Sequence, residues 1–214
     1  FGRRLLASNP TWAAIDAVEG EADPIACEGL MPPYSIPNVA VDHVPVRIAL
    51  PTGRLRGNAH GYTCFFVESF IDEIALRNAQ EPLSFRISML GDDLRLAHCL
   101  QRAARLGEWN GGAPGSGQGL ACHRMGDAAT GGRIALVATA VAGQGGVRVG
   151  KLSVAVDIGR VVNRDIALQQ IEGGLIYGLG LALGSGVEYQ RGMPQQGRLA
   201  ALDLPRKDGA LTLY

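Results

Sequence analysis

The 214-residue sequence predicts an α+β fold, antiparallel sheet segments with helices packed on one side. Three observations carry that prediction. Apolar residues recur at helical spacing through residues 63–79 and 94–109. After the glycine-rich stretch 110–119 (NGGAPGSGQG), the apolar period falls towards two. Before residue 62, prolines at 10, 24, 32, 33, 37, 45 and 51 each fix φ and remove a donor, so long helices are disfavoured there.

The elements follow in chain order. Residues 38–46 (NVAVDHVPV) partly alternate and read as a strand. Residues 63–79 read as a helix with Val67, Phe70, Ile71 and Ile74 inward, opposite Ser69, Asp72 and Glu73. Thr63 is the expected N-cap, with the acids in the early turns that the helix dipole favours. Glu81-Pro82 opens a short helix over 81–90, because proline suits a first turn. Asp92 or Asp93 caps a third over 94–109, with Leu96, Leu100 and Ala103 buried. Three strands follow at 119–125, 133–142 and 147–156, and Gly143-Gln144-Gly145-Gly146 turns between the last two. A final helix spans about 165–183, and 187–189 reads as a short strand.

Composition removes several function classes. The 20 basic and 20 acidic side chains cancel, which leaves no electrostatic footprint for nucleic acid. Cys27, Cys64, Cys99 and Cys122 show no C-x-x-C or zinc spacing and read as unpaired structural thiols. The four histidines share no ligand spacing, so no metal ligand is assigned. The opening FGRRLLASNP is not a signal peptide. The apolar run 171–183 is too short for a bilayer and contains Glu172, so a soluble chain without a transmembrane segment is expected.

Most chemistry-bearing groups have an ordinary explanation. The glycine-rich GSGQGLACHRM precedes a strand, not the helix N-terminus that a phosphate loop requires, and no G-K-[ST] occurs. His98-Cys99 and Cys122-His123 are adjacent pairs whose side chains diverge, so neither makes a dyad by itself. Glu68, Asp72 and Glu73 read as a solvated helix face before an acid/base pair, and Asp203 is treated with the same caution.

Two segments ask for more. The loop Gly53-Arg54-Leu55-Arg56-Gly57-Asn58-Ala59-His60-Gly61 runs into a helix start, where backbone N–H groups and Arg56 favour an anion or polarised oxygen; a plain surface loop fits as well. Further on, a strand ends in the D-x-G turn Asp157-Ile158-Gly159. The helix after it carries Gly173, Gly174, Gly178, Gly180 and Gly184. Mid-helix glycine costs about 1 kcal/mol relative to alanine, which points to close packing against a backbone or a planar ligand. Gln170 sits where its amide could read a ligand's polar edge.

At these segments the sequence resembles the molybdenum-binding large subunit of the xanthine oxidase superfamily. The nearest branch is the isoquinoline 1-oxidoreductase beta subunit and membrane-associated aldehyde dehydrogenase group. The resemblance rests on PYSIPNVAVD (33–42), LRGNAHGYTCFFVESFIDEIA (55–75), EPLSFRISML (81–90) and VAVDIGRVVNRDIALQQIEGGLIYGLGLAL (154–183), in that order. It implies parts of two molybdopterin-binding domains: residues 1–92 closing the first and 93–214 belonging to the second. It also implies a molybdopterin-dependent oxidoreductase of hydroxylase or aldehyde dehydrogenase type, which oxidises an aldehyde or N-heterocycle at carbon with water-derived oxygen.

The cofactor so implied is molybdenum–molybdopterin in its cytosine dinucleotide form. Electrons would leave to iron–sulfur or haem groups on a partner iron–sulfur or cytochrome subunit. Arg56 falls on the pocket loop as the catalytic candidate, and Gly57, Gln170, Gly173 and Gly174 fall on cofactor-binding positions. His60 matches a histidine of the same loop without an assigned role. The departures are Leu55 and Gly57, where the branch carries tryptophan and serine, and Arg164 in place of a proline. The family's Gly-Gln-Gly and Gly-Gly-Gly-Phe loops and its Gly-Glu-Pro acid have no counterpart, and Gly117-Gln118-Gly119 aligns with a later strand. The resemblance therefore implies a partial segment, inactive alone and completed by the rest of the large subunit. It is compatible with periplasm or cytoplasm, with periplasm suggested by the branch.

Overall fold

Helix α1 (His60–Arg77) starts three residues before the expected N-cap. In the computed structural model, which describes residues 21–44, 55–184, 186–202, 204–205 and 212–213, Ala59 is the N-cap and gives no side-chain bond. Thr63 is buried in the first turn instead, and its hydroxyl donates to the carbonyls of Glu28 (2.7 Å) and Ala59 (3.0 Å). The helix has apolar side chains on more than one side. Ile71 and Ala75 are buried, whereas Phe65, Phe66 and Phe70 face solvent, so the inward assignment of Phe70 is corrected.

The acidic face is corrected too. Glu68 is buried on α1, and α2 (Pro82–Met89) brings the fully buried Arg86 against it. Arg86 Nε donates to Glu68 Oε2 at 3.0 Å and Nη2 to the Glu68 carbonyl at 3.1 Å. Nη1 lies 2.6 Å from Asp72 Oδ1. The remaining lone pairs of Glu68 accept from the Tyr34 hydroxyl (2.7 Å) and the Cys122 backbone N–H (2.8 Å). A carboxylate with every acceptor engaged and a cation beside it can leave water, which helix periodicity alone does not signal.

Helix α2 opens at Pro82 as expected, and Glu81 caps it: its carboxylate accepts from the N–H groups of Leu83 (2.8 Å) and Ser84 (2.7 Å) and from Trp109 Nε1 (2.7 Å). Asp93 caps α3 (Leu94–Gly107), the most strongly amphipathic helix, with Leu96, Leu100 and Ala103 buried. At the end of α3, Gly107 lies flat on Val137 of the sheet: a Cβ there would stand 2.7 Å from Val137 Cγ1.

The sheet is an antiparallel meander of β1 (Ser116–Met125), β2 (Gly132–Gly143) and β3 (Gly146–Asp157). A short β6 (Thr212–Leu213) runs parallel beside β3. The β2–β3 turn is the expected one, closed by the Gly143–Gly146 pair with Gly146 at φ 104°. Strand β1 takes up residues 116–118 of the presumed linker, because the Gln118 side chain donates to the Gly107 carbonyl (2.8 Å) and accepts from Asn110 N–H (2.9 Å). Helix α3 packs on one face of this sheet, as the predicted α+β class requires. The core joins Tyr34, Ile71 and Leu90 to Leu96, Leu100, Leu120, Ala135 and Val137.

Residues 38–44 form no strand, since no neighbouring strand offers them a ladder among the described residues; 45–46 lie outside these. The short strand expected at 187–189 is β4 (Tyr189–Gln190), paired with β5 (Met193–Pro194) across Arg191-Gly192. Helix α4 (Arg164–Leu183) extends well before the run 171–183 that was judged too short for a bilayer. With 20 residues it is long and apolar enough, by length and composition, to cross a membrane, and Gly180 is its one buried residue among those described.

Candidate functional site

The loop before α1 is a turn closed by the Asn58 N–H donating to the Leu55 carbonyl at 3.0 Å. Gly57 adopts φ 87°, a left-handed conformation that L side chains avoid, and Asn58 follows at φ 49°. The buried Ala59, directly before α1, roots the turn in the protein. Gly53 and Arg54 lie outside the described residues, as does Asp203.

Arg56 reaches α4. Its Nη2 donates to the Gln170 carbonyl at 3.1 Å, across 114 residues of sequence. One turn on, its guanidinium lies 3.5 Å from where a Cβ of Gly173 would stand and 3.6 Å from that of Gly174. The structure thus brings Arg56, Gln170, Gly173 and Gly174 onto one helix face, with Gly57 setting the turn that makes this possible. The close backbone anticipated for the helix glycines is not found among the described residues at positions 173, 174 and 178. Nothing stands within 4 Å of a Gly178 Cβ, and Gly173 and Gly174 meet only the guanidinium. The face is half-buried, covered at Gly173 and Gly174 by the Arg56 guanidinium, and bordered by the exposed Gln170.

The entry to α4 is firmly held. Asn163 caps it, its Oδ1 accepting from Ile166 N–H at 3.0 Å. In the D-x-G turn, Asp157 Oδ1 accepts from Gly159 N–H at 3.1 Å. The same carboxylate takes a bidentate pair from Arg95 on α3, with Nε to Oδ2 and Nη2 to Oδ1 both at 2.7 Å. Arg95 first, and then the Gly159 N–H, hold the Asp157 carboxyl well below the ordinary carboxylate range. Asp157 therefore links the sheet, helix α3 and the turn that leads towards α4.

The cysteine–histidine pairs separate, as expected of adjacent residues. Cys99 is buried on α3, and burial raises its thiol pKa. Cys122 lies against the Tyr34 hydroxyl (3.2 Å), and burial likewise raises its pKa. All four cysteines are free. The partner of His123 is His60, Nε2 to Nδ1 at 2.8 Å. Burial, then His60 and Arg124, lower the His123 pKa to about 4. Neither this pair nor the Arg95–Asp157 clamp was legible beforehand, since each joins residues more than 60 positions apart. Among the described residues no group of three or more His, Cys, Asp or Glu could hold a metal ion.

A flat, polar, anionic group fits the chemistry of the Arg56–Gln170 face: a cation and an exposed side-chain amide can donate, and helix backbone without Cβ atoms permits close approach. Residues 129–208, which include Gln170, Gly173 and Gly174, match the family model for a molybdopterin cofactor-binding domain. The chain carries a segment that matches this family. The chain is similar to isoquinoline 1-oxidoreductase subunit beta of Brevundimonas diminuta, 29% identical over 177 residues that cover 82% of the chain and 23% of that protein. It is also similar to membrane-bound aldehyde dehydrogenase [pyrroloquinoline-quinone] of Gluconacetobacter polyoxogenes, 32% identical over 165 residues, 66% of the chain and 21% of that protein. The chain spans less than a quarter of the length of these curated relatives.

Proposed function

We propose that the segment forms one wall of the cofactor pocket in a molybdenum hydroxylase large subunit, which oxidises an aldehyde or N-heterocycle at carbon with water-derived oxygen. Bound there, the molybdopterin group would supply the two-electron redox chemistry. The chain's own residues bind and orient. The Gln170 amide hydrogen-bonds the pterin's polar edge, and Gly173 and Gly174 let the helix backbone lie against it. Arg56 presents its charge to an anionic group or a polarised substrate oxygen. In this reading residues up to about 92 close one molybdopterin-binding domain and the remainder belongs to a second. The cofactor is the cytosine dinucleotide form, and electrons leave to iron–sulfur or haem groups on partner subunits.

The observation that carries this reading is the Arg56–Gln170 contact, which assembles residues from two distant segments at the Gly173–Gly174 face of α4. Molybdenum and pterin content of the purified full-length protein tests it. Gln170→Ala should retain several-fold less molybdenum than wild type; unchanged occupancy removes the assignment. A full-length complex with no molybdenum at all would instead mark the segment as a scaffold that keeps the fold without the chemistry.

A further inference from the structure

We propose that His60 and His123 form a positioning pair that fixes the Arg56 loop against the sheet and so holds it over α4. This rests on the reading of residues 55–59 as the pocket loop. His60 opens α1, four residues beyond Arg56. Two hydroxyls secure the first turn of α1 to the preceding segment: Tyr62 donates to the Ala26 carbonyl (2.6 Å) and Thr63 to the Glu28 carbonyl (2.7 Å). The histidine contact is a third tie, and it reaches β1 rather than that segment. The rings are edge-on, 69° apart with centroids at 5.0 Å, so the 2.8 Å contact is a directed N–H···N hydrogen bond and not a stack.

Gly29 shows how tightly the three elements meet. It adopts φ 79°, and a Cβ there would collide with His60 Nδ1 while standing 2.9 Å from Thr63 Oγ1 and 3.1 Å from His123 Cε1. The segment backbone is therefore shaped around both rings. With His123 held neutral by burial, one imidazole nitrogen of the pair donates and the other accepts, which fixes the His60 ring orientation. A ring fixed in this way leaves the loop root few alternatives, and preorganised loop roots are what position a pocket side chain.

The test uses amide hydrogen exchange of the full-length protein, read at residues 55–62, with no dependence on activity. His123→Phe keeps a ring but no hydrogen bond; His123→Gln keeps an amide that can serve Nδ1. His123→Phe should speed exchange in the loop about tenfold while strands β1–β3 stay unchanged, and His123→Gln should stay within about twofold of wild type. Unchanged loop exchange in His123→Phe overturns the proposal. So does an equal rise across the sheet, or a His123→Gln that behaves like His123→Phe. If His123→Phe does not fold, His60→Phe against His60→Gln makes the same comparison from α1. Molybdenum content of Arg56→Ala tests the site reading separately, so either reading can fail without the other.

Discussion

The Arg86 guanidinium and the Glu68 carboxylate form an ion pair at 3.0 Å, with side chains 0% and 6% exposed. Burying two charges carries a large desolvation penalty, offset here because donors and acceptors on both sides are engaged. Glu68 accepts from Arg86, Tyr34 and Cys122 N–H; Arg86 donates to Glu68 and to the Pro82 carbonyl and sits against Asp72. The pair joins α1 to α2 and, through Cys122, to the sheet. Beside the pair, burial first, then the neighbouring Cys122 and Glu68, drive the Tyr34 phenol pKa far above the ordinary tyrosine range, against the opposing charge of Arg86.

Removing one member strands the other. Arg86→Ala should destabilise the folded protein by about 3–5 kcal/mol, because an uncompensated carboxylate remains in the core. The urea unfolding midpoint reports this directly; a loss of less than about 1 kcal/mol would mean that water reaches Glu68.

Gly107 is a packing glycine. Its φ is not left-handed, so the obstacle to a side chain is Val137 alone, 2.7 Å from the would-be Cβ. Gly107→Ala should therefore cost about 1–3 kcal/mol by overpacking. Val137→Ala in the same chain should recover part of that loss, and thermal unfolding of the single and double variants decides it.

His123 gives the protein a pH dependence of known sign. Its folded pKa, about 4, lies below the value of about 6.5 that it regains on unfolding. The unfolded chain therefore takes up a proton that the folded chain refuses, and stability falls as pH drops from about 6.5 towards 4. The groups facing the ring are His60 and Arg124, both of which disfavour a second positive charge. Unfolding midpoints at neutral and mildly acidic pH should diverge less in His123→Phe than in wild type. Identical slopes would show that His123 is protonated in the folded protein.

Much of the fold was legible because it is local. Pro82 opens α2, Asp93 caps α3, the Leu96, Leu100 and Ala103 stripe faces the core, and the Gly143–Gly146 turn closes its hairpin, as first-turn, capping, periodicity and turn chemistry dictate within a few residues. The readings that changed depend on distant partners. Thr63 looked like a cap until the Glu28 carbonyl gave its hydroxyl an interior partner. The run 38–44 alternates like a strand but has no ladder beside it.

By itself, the sequence determined the α+β class and most of the order of helices and strands from residue type and spacing, whereas Arg56, Gly57, Gln170, Gly173 and Gly174 became site candidates through the resemblance to a known family. Tertiary structure decided which groups meet. It set Arg56 on the Gln170 carbonyl, turned Glu68 inward to Arg86, clamped Asp157 to Arg95 and joined His60 to His123. The reason is energetic: a polar side chain goes inward only when a complementary group waits there, and that group comes from another part of the chain.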